Sequence, residues 1–248
     1  MNLTEIINSF ESITLEEMDR VKLMDRTDTK FLCHIKQLPK ILKRISNDYK
    51  ILSINNFPIS TYQTLYFDSA NYMLYNQHHN GKLNRYKVRY RKYVESNISF
   101  LEIKQKSNKG RTIKTRMSIE SPIWERNDNA KIFLLKKLPF NPEILKPAVW
   151  VNYNRITLVN KKSAERITID LNLNFKKDAL EKSYPNLVIA EVKQDSKINS
   201  EFLNIMKKHH IREGSISKYC LGIANLIPKQ KSNNFKSKIL QIHKLIAS

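Results

Sequence analysis

Between Asn84 and Tyr93 the chain alternates in type residue by residue. Arg85, Lys87, Arg89 and Arg91 hold one parity; Tyr86, Val88 and Tyr90 hold the other. In a strand, residues i, i+2 and i+4 share a face, so this segment predicts a strand with one cationic and one apolar face. The pattern recurs along the chain. Ser99 to Lys106 sets Glu102, Lys104 and Lys106 opposite Leu101 and Ile103, and Thr112 to Ile119 sets Lys114 and Arg116 opposite Ile113 and Met117. Val149 to Val159 contributes Arg155, while Arg166 to Phe175 puts Arg166, Thr168 and Asp170 against Ile167, Ile169 and Leu171. Leu187 to Lys193 adds Glu191 and Lys193, and upstream Arg26, Asp28 and Lys30 share one face.

A polar face can simply meet water, as in most antiparallel sheets. Like charges opposed across neighbouring strands, however, oppose pairing by roughly 0.2 to 1 kcal/mol per pair. A sheet that needed only solubility would mix its signs, so the repetition points to a polyanion that offsets the repulsion. Composition agrees: the 248 residues carry 44 Lys plus Arg against 23 Asp plus Glu, a formal net charge of +21. Such an excess concentrates anions at the surface. The acids set within this field, Asp28, Glu102, Asp170 and Glu191, are expected either to pair with a base or to hold a divalent metal.

The rest of the chain supplies helices. Leu3 to Phe10, Leu15 to Leu23, Gln37 to Ser46, Asp128 to Lys137, Asn199 to His209, Tyr219 to Leu226 and Phe235 to Ile246 read as helical, and Asn71 to His79 ends at a good stop, Asn80-Gly81. Thr61 to Asp68 is a further strand. Many antiparallel strands with short helices predict an α+β domain around one large sheet. Only four glycines occur and no flexible linker divides the chain, so residues 1–248 are expected to form one domain, with a core over about 25–225 and a basic helical tail over 226–248. Cys33 and Cys220 lie in no metal or redox spacing, which fits a reducing compartment. No apolar run approaches the 18 to 20 or so residues that span a bilayer, and the N-terminus does not resemble a secretory signal. A soluble cytoplasmic protein with no membrane insertion is the expectation. There is no G-x-x-x-x-G-K-[ST] loop. The pairs His78-His79 and His209-His210 point apart on a helix rather than converging on a metal. Tyr86, Tyr90 and Tyr93 could stack on nucleobases, but the first two fall opposite the Arg row, so no nucleic-acid partner is expected.

With these residues in view, the chain resembles the VTC domain, the polyphosphate polymerase branch of the CYTH-like triphosphate tunnel metalloenzymes. The matching segments are DRTDTKF (25–31), LYFDS (65–69), KVRYRKY (87–93), FLEIKQK (100–106), GRTIKTR (110–116), YNRITL (153–158), ERITIDLNLNF (165–175), VIAEVKQD (188–195) and SISKY (215–219). The resemblance implies an eight-stranded antiparallel β-tunnel with peripheral helices. It implies ATP and inorganic polyphosphate as ligands, with a divalent ion, Mn2+ or Mg2+, as cofactor. Lys30, Arg89, Arg91, Lys104, Lys114, Arg155, Arg166 and Lys218 match phosphate-contacting bases, Ser217 a phosphate-binding serine, and Glu191 the metal-binding glutamate. Lys193, on the same face, joins the expected phosphate-binding set, and Glu102 stands as a second candidate metal ligand. One departure is informative. Tunnel triphosphatases open with E-x-E-x-K, where this chain reads Arg26-Thr27-Asp28-Thr29-Lys30. Loss of the first carboxylate fits the VTC branch better than the hydrolase branch.

Phosphoryl transfer asks for positioning and charge neutralisation more than for covalent help. The expected catalytic set is therefore Arg89, Arg91 and Lys104 on the phosphates and Glu191 on the metal, making the chain a metal-dependent phosphotransferase. The alternatives are an inorganic or nucleoside triphosphatase of the same fold and a non-catalytic polyphosphate binder. Export of the polymer would need a separate membrane protein.

Overall fold

The computed structural model describes residues 2–20, 27–194 and 200–247. Arg26, expected beside Asp28 and Lys30, lies outside the described residues, as do the end of the helix expected over Leu15 to Leu23 and Asn199 at the start of another.

Eleven strands form one sheet: β1 (Glu11–Ile13), β2 (Thr27–His34), β3 (Tyr49–Leu52), β4 (Ile59–Asp68), β5 (Arg85–Tyr93), β6 (Ile98–Lys106), β7 (Thr112–Ser118), β8 (Lys146–Asn160), β9 (Glu165–Lys177), β10 (Leu180–Tyr184) and β11 (Leu187–Gln194). Its main path, β2-β11-β9-β8-β4-β5-β6-β7, has the eight antiparallel strands expected, and β1, β3 and β10 are additions. The path is not closed into a barrel: β2 and β7 share no ladder among the described residues.

The apolar parity of the strands faces outward, into helices. α1 (Leu3–Asn8), α3 (Leu38–Ile45) and α6 (Glu201–Lys208) cover β2, β11, β9 and β8, joining Phe31, Ile156, Ile167, Ile169 and Val188 in one core. Leu38, Ile41, Leu42 and Ile45 of α3 recur at helical spacing and are all buried. α5 (Asp128–Lys137) packs Ala130 and Leu134 against Leu65, Val88, Tyr90, Leu101 and Ile103. Two short helices lie elsewhere, α2 (Leu15–Arg20) and α4 (Met73–His79). Tyr72 adopts φ 56°, so α4 begins only at Met73, and the Asp68 carboxylate caps it by accepting from the backbone N–H of Leu74 and Tyr75 at 2.8 Å each.

α7 (Lys218–Leu226) lies on the opposite, concave face. It joins Leu32, Tyr66, Val149, Val151, Leu173, Phe175 and Ile189 in a second core, backed by α8 (Asn233–Ala247) through Ile242. Two local features permit this. The register of β8 on β9 shifts between Asn152 and Asn154, opposite Asn172 at φ 52°; this bulge reverses the parity of β9. Leu171 therefore points outward whereas Leu173 and Phe175 point inward. Gly222 permits the close approach: a Cβ there would stand 2.7 Å from the Phe175 ring. α7 thus fills one end of the concave face and leaves the rest to the basic rows. Among the described residues no helix is long and apolar enough to cross a membrane.

Candidate functional site

The bases converge on this concave face around three carboxylates, two buried and one half-buried. Glu102 on β6 is 1% exposed. It accepts from Arg89 Nε on β5 at 2.6 Å, with Arg89 Nη2 also at 2.6 Å, and takes Lys114 Nζ from β7 at 2.6 Å on its other oxygen. Arg91 Nη1 stands 3.9 Å away. Burial alone would raise the Glu102 carboxyl, but Arg89, Arg91 and Lys114 overcome it and hold the group down at about 2.

Asp170 on β9 is the second centre. Arg155 of β8 grips it with two bonds, Nε at 2.6 Å and Nη2 at 2.9 Å, and Lys218 at the start of α7 pairs with the same carboxylate. Against burial, these two bases hold Asp170 down at about 2. Arg155 lies 4.8 Å over the Tyr62 ring, and Lys218 lies 4.7 Å over Tyr153, so both cations are backed by aromatic faces.

Glu191 on β11 is the third. Lys193 meets it at 3.0 Å and Lys30, across the ladder on β2, at 3.3 Å. These cations hold its carboxyl well below the usual range despite burial. At 22% its side chain is more open than that of Glu102. Arg166 stands opposite Lys193 and donates toward Met18 Sδ at 3.6 Å.

Ser217 caps α7, accepting from Cys220 N–H at 3.3 Å and from Lys87 Nζ at 2.9 Å, which leaves its own hydroxyl hydrogen to donate. Lys104 has no ion-pair partner among the described residues. Burial and then the fields of Lys87, Arg89 and Lys30 depress its ammonium, while Glu191 opposes them. Lys104 lies on β6, next to the β7 edge, and Lys30 on the β2 edge at the other end of the path, so the field at Lys104 draws on bases from both ends of the sheet. Burial likewise draws Lys114 and Lys193 down to about 8.

The sequence-predicted set is thus gathered on one surface. Three contributors lie outside the expected binding and catalytic set. Asp170, expected to pair with a base or hold a metal, pairs with two bases, and Lys87 belongs to the basic row of β5. Tyr66, buried on the same parity of β4, accepts from Arg89 Nη1 at 3.1 Å; burial would raise its phenol, but Arg89, Arg91 and Lys87 hold it at about 8. Its signal was parity alone, two residues from Thr64, which meets Arg91 at 3.3 Å. As for a metal, no three His, Cys, Asp or Glu side chains cluster among the described residues. The oxygens of Glu102 are enclosed by cations, whereas Glu191 keeps an open side. The donor set therefore suits an ion taking one protein carboxylate and completing its shell on phosphate oxygens and water.

The model of the VTC domain matches residues 25–227. The chain belongs to the VTC domain family. Among solved structures, this VTC-domain protein is similar to a putative adenylyl cyclase from Hippeastrum described as having a dominant triphosphatase activity. That likeness has a TM-score of 0.52 at 12% identity and covers 82% of this chain and 97% of the other. Putative adenylate cyclases from Bacillus halodurans (TM-score 0.49, 14% identity, 78% and 96% covered) and Vibrio parahaemolyticus (0.47, 12%, 80% and 99%) are also similar. At 12% identity the likeness to the Hippeastrum protein speaks for the fold alone. No curated protein sequence matches the chain significantly.

Proposed function

We propose that this protein is an ATP-dependent polyphosphate polymerase, moving the terminal phosphate of ATP onto a growing inorganic polyphosphate chain along its basic concave face. The observation that carries the reading is the surplus of cations there after Glu102, Asp170 and Glu191 have been paired. Glu102, Asp170 and Glu191 orient their bases, while Lys87, Lys104 and Arg116 have no carboxylate within ion-pair distance among the described residues. Family membership supports it.

In this mechanism Arg89, Arg91 and Lys104 hold the phosphates of ATP, with Arg155, Arg166, Lys30, Lys114, Lys193, Ser217 and Lys218 along the polymer. Arg forks give bidentate contacts and Lys compact charge. An ionised oxygen of the chain's terminal phosphate attacks the γ-phosphorus; the bond to the β-phosphate oxygen breaks and ADP leaves with the electron pair. The nucleophile arrives deprotonated, so no general base is needed. Glu191 would hold a divalent ion, Mn2+ or Mg2+, which supplies charge neutralisation on the non-bridging oxygens. Glu102 serves in this reading to fix Arg89 and Lys114. In this reading the protein works in the cytoplasm, and any export would need a separate membrane protein.

A second reading, a triphosphatase using water as nucleophile, is favoured by the likeness to the Hippeastrum protein. Incubation with ATP and manganese, followed by sizing of the products, separates the two. Long chains are expected; free phosphate alone would establish the hydrolase, and no product a binder. Arg89→Ala and Glu191→Gln are each expected to slow chain growth by about 10²-fold or more, and wild-type rates in both would sink the assignment.

A further inference from the structure

One stretch of the concave face carries cations with no acid among them. Across β5 and β6 Arg85 stands opposite Lys106 and Lys87 opposite Lys104; across β6 and β7 Lys104 stands opposite Lys114. Glu102, two residues before Lys104 on β6, is committed to Arg89 and Lys114. Among the described residues Lys87 finds only a neutral partner, the Ser217 hydroxyl, and Arg85 only the Lys82 carbonyl, at 2.7 Å. Lys106 is exposed to solvent, and Lys104 keeps an exposed flank although its ammonium sits among the neighbouring bases. His78, in the last turn of α4, lies in the same field. Burial first, then Lys87, Arg85, Lys106 and Lys104, push its imidazole down to about 3, so it stays neutral at physiological pH. Its Nδ1 is buried without a hydrogen-bond partner.

Folding does not call for this strip. The opposite faces of β5 and β6 already supply the core through Val88, Tyr90, Leu101 and Ile103, and an acid at any strip position would relieve cross-strand repulsion. Nor does a triphosphate fill the row. From Arg85 to Arg91 a strand advances about 20 Å, well beyond the reach of three linked phosphates held at Arg89 and Arg91. The strip also begins where α7 stops filling the concave face, at Ser217, so it is the open continuation of the site.

We infer that Arg85, Lys87 and Lys106, adjoining Lys104, form an outer subsite for linear inorganic polyphosphate, gripping phosphates beyond those held at Arg89, Arg91, Lys104 and Arg155 and making affinity rise with chain length. The inference rests on the polymerase reading for the identity of the ligand, and it is a statement about binding, separable from turnover.

The test compares the full-length protein with Arg85→Ser/Lys106→Ser, and with a charge-matched control on the outer helix α3, Lys40→Ser/Lys43→Ser. Calorimetric titration with tripolyphosphate, a long linear polyphosphate and single-stranded DNA is run at several salt concentrations. The strip variant is expected to bind tripolyphosphate within about twofold of wild type and long polyphosphate about tenfold more weakly, as two exposed ion contacts allow. Its salt dependence for the polymer should also be shallower. The α3 control should match wild type throughout. Equal losses for both phosphate ligands, a loss confined to DNA, or no loss would each overturn the subsite. A wild-type protein whose affinity did not grow with chain length would count against the polymerase reading too. Length-dependent wild-type binding that the strip variant retained would overturn the subsite alone.

Discussion

Glu102→Gln is the substitution for which the structure gives the clearest magnitude. The change keeps the shape and removes the charge from a side chain only 1% exposed that faces Arg89, Arg91 and Lys114. Lys114 is 40% exposed and contributes little after solvent screening. Arg89 and Arg91, at 16% and 9%, are left as uncompensated buried charges, and breaking such a pair costs about 3–5 kcal/mol. For a chain of this size that is a fall in Tm of roughly 6–20 °C. A bound polyanion would replace the missing charge, so tripolyphosphate should raise the Tm of the variant by more than it raises that of wild type. Thermal unfolding followed by circular dichroism, with and without tripolyphosphate, reads both effects. The pH profile adds a check. The Glu102 carboxyl is held down at about 2 from an ordinary value near 4.5, so its stabilisation is complete above about 4.5 and is lost as pH falls toward 2. Wild type should lose its advantage over Glu102→Gln across that window. A ligand-free variant as stable as wild type at pH 7, or one that tripolyphosphate rescued no better than wild type, would refute the reasoning.

Three other outcomes follow from particular contacts. Gly222→Ala would place a methyl 2.7 Å from the Phe175 ring, costing about 1–3 kcal/mol in denaturant unfolding and weakening phosphate binding by displacing Ser217 and Lys218. Because burial draws Lys114 and Lys193 down to about 8, tripolyphosphate affinity measured by titration should fall as pH rises from 7 to 9.5. The same lysines bind more protons unfolded than folded between about 8 and 10.5, so their contribution to ligand-free stability should rise over that range, the opposite sign from binding. Tyr66→Phe removes the hydroxyl that accepts from Arg89; the alkaline limb of the phosphate-binding profile should change shape near pH 8 while the fold, by circular dichroism, stays unchanged.

What the sequence made legible was short-range. In β5, β6 and β7 the parity of each residue is enough to assign its face, because these strands run without interruption from turn to turn, and Arg89, Lys104 and Lys114 stand where alternation puts them. In β9 the same logic fails halfway. Ile167, Ile169 and Leu171 keep their parity, but the bulge at Asn172 brings Leu173 and Phe175 to the other face, and an Asn in a polar-apolar alternation gives no sign of the extra residue. β1, β3 and β10 were missed because three to five residues are too few to show a period, and β10 (LEKSY) is exposed almost throughout. The site of α7 was illegible for another reason. Its burial on nearly every side is a sum of contacts from β4, β8, β9 and β10, each distant in sequence, and only Gly222 hints at close packing.

The same distinction explains why so few acids suffice on so basic a surface. Each of these carboxylates joins bases brought by neighbouring elements: Glu102 links β5 to β7, Asp170 links β8 to α7, and Glu191 links β11 to β2. An acid used this way fixes the direction of an Arg fork or a Lys point as well as lowering its repulsion, and pre-set donors need no reorganisation when charge moves on a phosphate. Adding acids to the Lys87–Lys104 and Arg85–Lys106 rungs would stabilise the empty sheet, yet it would fill the positions that a polyanion can occupy. The pairing of some cations and the exposure of others are therefore complementary demands on one face. The paired ones hold geometry, and the unpaired ones are left to be neutralised by whatever chain of phosphates lies along them.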